Sequence, residues 1–181
     1  MSITILSSTD VSSVLDQLSL DDFLKSQQGA FQAFSASRVQ AGKEASSSPS
    51  SSSTAAVQTP LRISLALANH TTLFMPAAMA GLPPTCKIVS VPAPSAPAEI
   101  AARGLPGTTV VLDADSGEVA GLVNAGELTG VRTAAGSAVA SRAILGKGEG
   151  RSKIVVFGSG VQAFWQCVLA SLGPRPRQQP G

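Results

Sequence analysis

Charge is scarce in this chain of 181 residues: Asp, Glu, Lys and Arg make up 13%, about half the usual share of roughly 25%. No cluster of cations is longer than Arg175-Pro-Arg177 and the net charge is only +2, so no nucleic-acid surface is implied. Apolar runs are also short. None approaches the roughly 18 residues that a membrane span needs, and Met1-Ser-Ile-Thr-Ile-Leu6 has neither a basic start nor a small-residue cleavage site, so secretion is not signalled. Two cysteines, Cys86 and Cys167, stand alone without metal-ligand spacing. They read as small buried hydrophobes in a reducing, cytoplasmic setting. His70 is the only histidine, and its place beside Asn69 is explained by a turn. One further absence concerns chemistry: no Asp or Glu follows Glu149.

What is present is a chain with 44% hydrophobic residues, enough to build a core and too many for wholesale disorder. Ile3 to Leu6 reads as a short strand. Asp10 is placed to cap a helix bearing Val11, Val14, Leu15 and Leu18 on one face. Ser19 starts a second helix with Leu20, Phe23, Leu24, Gln27, Phe31 and Phe34 at i, i+3, i+4 spacing, a core-facing stripe. Residues 46–54 are low complexity and form a loop or linker. Leu61 to Leu67 alternates as a half-buried strand, Thr71 to Met75 returns from an Asn69-His70 turn, and Lys87 to Val91 forms another strand. Thr108 to Asp113 and Glu118 to Asn124 form a hairpin around Asp115-Ser116-Gly117. Residues 1–128 thus read as helices followed by a largely antiparallel sheet.

Beyond Leu128 the pattern changes. Leu128 to Leu145 reads as a helix capped by Thr129, rich in small residues that allow close backbone approach, and ended by Gly146. Arg132 lies near its start, where a cation opposes the macrodipole unless an anion sits between them. This helix, within 129–150, connects to Lys153-Ile-Val-Val-Phe157, an apolar run suited to a strand buried on both faces. Gly158-Ser-Gly160-Val-Gln-Ala163 follows, the G-x-G-x-x-A form of the pyrophosphate fingerprint. Its glycines allow a tight turn and close approach to phosphate, and its small third residue lets helix pack on strand. A helix from Val161 to Leu172 completes the strand–loop–helix context. A P-loop is excluded, because Ser141 occupies the position of its first glycine. The acid that a complete fingerprint carries roughly 20 residues on is missing, and 174–181 reads as an irregular tail. The fold class is therefore α/β: an α+β first part, then the first βα unit of a Rossmann domain at 151–173.

Leu128-Thr-Gly-Val-Arg-Thr-Ala-Ala-Gly-Ser-Ala138, followed by the strand and G-x-G-x-x-A, resembles the ornithine cyclodeaminase/μ-crystallin family. The hairpin Leu105-Pro106…Asp113…Ser116-Gly117 fits the same pattern, and the similarity, greatest to fungal-type members, covers roughly residues 55 to 170. The resemblance implies an N-terminal substrate-binding and dimerisation domain, and a Rossmann domain binding NAD or NADP. It implies action on an amino acid or cyclic imine, by deamination with cyclisation or by imine reduction. It also implies a homodimer in full-length members. By the same resemblance Arg62, Lys87 and Arg132 match substrate-binding positions, with Arg132 on the substrate carboxylate. Thr108 or Thr109 matches a threonine near the nicotinamide, and Gly158, Gly160, Val161 and Gln162 match the nucleotide loop. The family's catalytic aspartate belongs to the later Rossmann domain, so no catalytic residue is assigned. The sequence is expected to be the N-terminal part of such an enzyme, truncated within that domain and inactive alone; the alternative is a non-catalytic fragment, at most a subunit-association module. No metal site is expected.

Overall fold

A computed structural model describes residues 2–44, 57–145 and 155–171. The expected loop at 46–54, the helix stop at residue 146 and the tail at 174–181 lie outside the described residues.

The chain runs β1 (Thr4–Leu6), α1 (Ser8–Leu15), α2 (Leu20–Glu44), β2 (Val57–Gln58), β3 (Ile63–Ala66), β4 (His70–Met79) and β5 (Thr85–Pro92). It continues through α3 (Ala98–Ala101), β6 (Gly107–Leu112), β7 (Val119–Asn124), α4 (Gly126–Leu145) and α5 (Val161–Ser171). Six strands follow one another across a mixed sheet in the order β1-β7-β6-β5-β4-β2, and β3 also pairs with β4. All pairings are antiparallel except β1 on β7, which is parallel. The fold is α/β, as expected.

Local chemistry accounts for the element boundaries. α1 is capped by Ser7 rather than Asp10: the Ser7 hydroxyl accepts from Asp10 N, and the Asp10 carboxylate accepts from Ser7 N at 2.8 Å. Asp10 is thus the third residue of a capping box, a role the isolated residue type does not reveal. Ser19 and Asp22 repeat the device at the start of α2. The β3–β4 turn comes one residue earlier than expected, so His70 is the first residue of β4, paired with Pro92. The β6–β7 hairpin is tied by Asp113, whose carboxylate accepts from Asp115 N and Ser116 N at 3.1 and 2.7 Å.

The core lies within the helical layer. Val11 and Leu15 of α1 meet Val131, Ala134 and Ala135 of α4 and Trp165 and Leu169 of α5. Leu6 and Val123, from adjacent strands β1 and β7, pack against this cluster and join it to one sheet face. The α2 stripe is core-facing at its start, where Leu24 is buried and Phe23 stacks edge-on against Trp165 at 6.1 Å. Farther along, Phe31 and Phe34 are exposed, with Phe31 lying against Gly136 of α4.

One expectation fails on the described residues. Of the strand expected over 153–157, residues 153–154 lie outside them, and Val155 to Phe157 pair with no strand. Val155 is 77% and Phe157 94% exposed. A parallel strand takes its stability from neighbours on both edges and cover on both faces, and no neighbouring parallel strand is available to it among the described residues. The helix after it forms nonetheless, because its own apolar stripe finds α4.

Candidate functional site

Strand register decides which side chains share a face, since directly paired residues point the same way and neighbours along a strand alternate. Met75 pairs with Lys87, Lys87 with Thr109, and Thr109 with Val123. Val123 packs into the helical core, so this row faces the helices. Extending the β3–β4 register by one residue from Ile63↔Phe74 brings Arg62 opposite Met75. Arg62 therefore joins the row two strands from Lys87, roughly 10 Å away at ordinary strand spacing, and it is exposed at the sheet edge.

Thr108 falls on the other side. It pairs with Ile88 and Asn124 and is exposed on the face away from the helices. Between the two threonines left open by the sequence, it is half-buried Thr109 that stands beside Lys87. His70 likewise shares the parity of Phe74 and Ile88, and so lies on the face opposite Lys87.

α4 supplies the third side of the site. It starts at Gly126, two residues earlier than expected, where the Asn124 side chain accepts from Gly126 N at 3.1 Å. Thr129 is consequently inside the first turn and is not the cap; its hydroxyl donates to Ala125 O at 2.6 Å. Arg132 moves correspondingly into the second turn, one turn beyond Thr129 on the same helix face. Lys87 Nζ reaches up from the sheet and donates to Thr129 Oγ1 at 3.4 Å.

The electrostatics of this corner have one sign. Burial lowers the Lys87 pKa below the usual lysine value, and the Arg132 guanidinium lowers it further. No described carboxylate acts on Lys87. Glu127, in the first turn of α4, is turned away and accepts from Ser12 of α1 at 2.5 Å. Half-buried Lys87 and exposed Arg132 thus stand close enough to act on one another without an anion between them, which is the arrangement that a bound carboxylate would relieve.

The glycine loop lies at the other side of Thr129. Gly158 adopts φ +104°, a conformation that favours glycine. A Cβ on Gly158 or Gly160 would meet nothing within 4 Å, so the backbone ahead of α5 is open to close approach by a ligand. The first N–H groups of α5 point out of its N-terminus, as every helix leaves them. Gln162 Nε2 donates to Thr129 O at 3.3 Å, and Gln166 Nε2 donates to Ser137 Oγ at 3.1 Å. These bonds and a close approach at Gly130 seat α5 on α4. A Cβ at Gly130 would lie 2.6 Å from Val161 Cγ1 and 3.0 Å from Trp165 Cδ1. The loop therefore fits a dinucleotide pyrophosphate in its glycines and open backbone.

Sequence reasoning missed the hub made by Thr129. The available signal was its spacing three residues before Arg132, which puts both on one helix face. Among the described residues no group of three His, Cys, Asp or Glu could hold a metal ion, and no helix is long and apolar enough to cross a membrane.

Comparison with known proteins agrees with this fold. Among solved structures, an archaeal alanine dehydrogenase dimer with bound NAD superposes with TM-score 0.66 at 20% identity, over 94% of this chain and 45% of that one. The Δ1-pyrroline-2-carboxylate reductase of Thermococcus litoralis, in complex with NADH and L-proline, gives 0.65 at 22% identity, over 93% and 46%. A lysine cyclodeaminase recognising L-lysine, L-ornithine and L-2,4-diaminobutyric acid gives 0.62 at 25% identity, over 96% and 46%. The chain spans less than half the length of these structures. No curated protein matches by sequence. The profile of one family covers residues 9–171, and the chain belongs to that family, the ornithine cyclodeaminase/mu-crystallin family.

Proposed function

We propose that this chain is the substrate-binding part of an NAD(P)-dependent enzyme acting on an amino acid or a cyclic imine, by deamination with cyclisation or by imine reduction. The observation that carries the reading is the uncompensated pair Lys87 and Arg132 at the sheet–α4 corner. A guanidinium can hold a carboxylate through two parallel N–H···O bonds, and Arg62, in the row of Lys87, adds a third cation at the rim. Lys87, with its lowered pKa, can hold or release a proton at Nζ beside the carbon next to that carboxylate. The half-buried walls of the corner, Thr109 and Thr129, limit water around it. Gly158, Gly160, Val161 and Gln162 would hold the dinucleotide pyrophosphate, and the bound nicotinamide would supply the site with a hydride donor or acceptor. Cytoplasmic residence belongs to the same reading, supported by two cysteines that are free and half-buried.

Titration calorimetry of the purified chain tests this. L-Ornithine should bind, putrescine, which has the two amines and no carboxylate, should not, and Arg132→Leu should abolish the difference. Equal heats from both compounds would refute the carboxylate site.

A second reading, that the chain serves subunit association, rests on the other sheet face. Ile63, Leu65 and Ile5 are exposed there, and Phe74, Ile88, Val110 and Leu122 share that face. The short helix α3 reaches only one end of it, and no other described helix packs on it. Apolar patches of this kind mark protein interfaces, and a homodimer through this face accompanies the enzymatic reading without contradicting it. Sedimentation should show a dimer that Leu65→Lys dissociates.

A further inference from the structure

Thr129 touches both halves of the proposed site. Its hydroxyl lies 2.6 Å from Ala125 O and 3.4 Å from Lys87 Nζ, and its carbonyl oxygen lies 3.3 Å from Gln162 Nε2. A hydroxyl has one proton to donate. The short contact with Ala125 O, a carbonyl with no proton of its own, commits that proton to the helix. Towards Lys87 the Thr129 oxygen can therefore only accept. An ammonium has three protons, so one is turned onto Thr129 and the remaining two are left for the space beside Arg132, one helical turn away.

We propose that Thr129 is a positioning residue: its hydroxyl, locked as an acceptor by Ala125 O, aims the Lys87 ammonium at the carboxylate position and favours its charged form. The inference rests on the reading of Lys87 as part of a carboxylate site. It adds a residue whose role is to orient that lysine without touching the substrate.

The surroundings of Lys87 make Thr129 matter. The other charged group acting on it is Arg132 of α4, which opposes its protonation, as does burial. Glu127 of α4 is engaged with Ser12. On the flanking strands its paired neighbours are Met75 of β4 and Thr109 of β6, neither charged. From α5 the nearest polar group of the hub is Gln162, an uncharged amide already bonded to Thr129 O. Arg62, at the edge of β3, adds only positive charge. Among the described residues the Thr129 hydroxyl is the one side-chain acceptor within hydrogen-bond reach of Lys87 Nζ.

The test reads the titration of Lys87 in the full chain. The protein is pulse-labelled with acetic anhydride across a pH series. Labelling of Lys87 is quantified by peptide mass spectrometry against Lys25, an exposed lysine on α2, and Trp165 emission reports the fold of each variant. Only the neutral amine reacts, so Thr129→Val should move the Lys87 midpoint to lower pH and raise labelling at a fixed pH by roughly three-fold or more, as loss of an acceptor for a charged donor implies. Thr129→Ala should follow Thr129→Val, and Thr129→Ser should stay with the parent. A midpoint unmoved in both Val and Ala variants, or moved equally by Ser, would overturn the inference. Protection of Lys87 by sodium acetate in the parent protein is a separate reading. Its absence would refute the carboxylate site itself, while the Val, Ala and Ser comparison still decides the role of Thr129.

Discussion

Replacing Gly130 by alanine separates two effects that usually travel together. In a helix interior the change from glycine to alanine stabilises by about 0.5–1 kcal/mol, because glycine loses more backbone freedom on folding. At Gly130 the added Cβ would stand 2.6 Å from Val161 Cγ1 and 3.0 Å from Trp165 Cδ1. Valine is stiff about χ1 and Trp165 is 8% exposed within the core, so neither yields cheaply. Overpacking of this kind costs about 1–3 kcal/mol. Gly29 of α2 is the matched control, since a Cβ there meets nothing within 4 Å and only the helical gain remains. Gly130→Ala should therefore unfold more easily than Gly29→Ala by about 1–3 kcal/mol, a difference of about 2–4 °C in Tm per kcal/mol for a chain of this size. The chain has one tryptophan, so urea unfolding followed by its fluorescence reports this interface directly. In Gly130→Ala the native emission should also shift to the red as α5 is pushed off α4. Equal midpoints for the two variants with unshifted emission would show that α5 does not pack on α4 as described.

Arg132→Leu should weaken amino-acid binding by about 1.5–3 kcal/mol, the worth of a hydrogen bond to a charged group, while His70→Ala, on the opposite sheet face, should leave calorimetric affinity unchanged. Ser7→Ala should cost about 1 kcal/mol by removing the cap of α1, measured by urea denaturation at neutral pH. Asp10 and Asp22 have pKa values below the ordinary aspartate value, chiefly because the Ser7 and Ser19 hydroxyls donate to them, and Asp113 because Ser116 N does. Their contribution is present above the unfolded-state value and is lost as pH falls through the lowered folded value. Acid denaturation should therefore start later on the acid side in the parent than in Ser19→Ala, and coincident acid limbs would refute the assignment. A chain ending at residue 150 loses Trp165 and Leu169 from the core, and should bind the dye ANS and melt less cooperatively than the parent.

The sequence by itself determined the features that repeat at short range. Alternation marked β3, turn residues marked the β6–β7 hairpin, i, i+3, i+4 spacing marked α2, and Gly158-Ser-Gly160 marked an open loop before a helix. Spacing and residue types in 128–138 were specific enough to indicate the family. Boundaries were less legible where two residues act jointly. Asp10 alone looks like a cap, and only its reciprocal bonds with Ser7 make it the partner of one; Thr129 alone looks like a cap, and only the Asn124–Gly126 bond starts α4 earlier. The tertiary structure decided what depends on register and layer. Alternation says that Thr108 and Thr109 face opposite ways, but only pairing with Lys87 says which of them looks at the helices. The apolar run ending at Phe157 has a strand's composition, yet a strand forms only against a neighbour, and no neighbour lies beside it among the described residues. The gathering of Lys87, Thr129 and Arg132 from β5 and α4 likewise has no local signature, because residues more than forty positions apart along the chain are brought together only when the helical layer closes on the sheet.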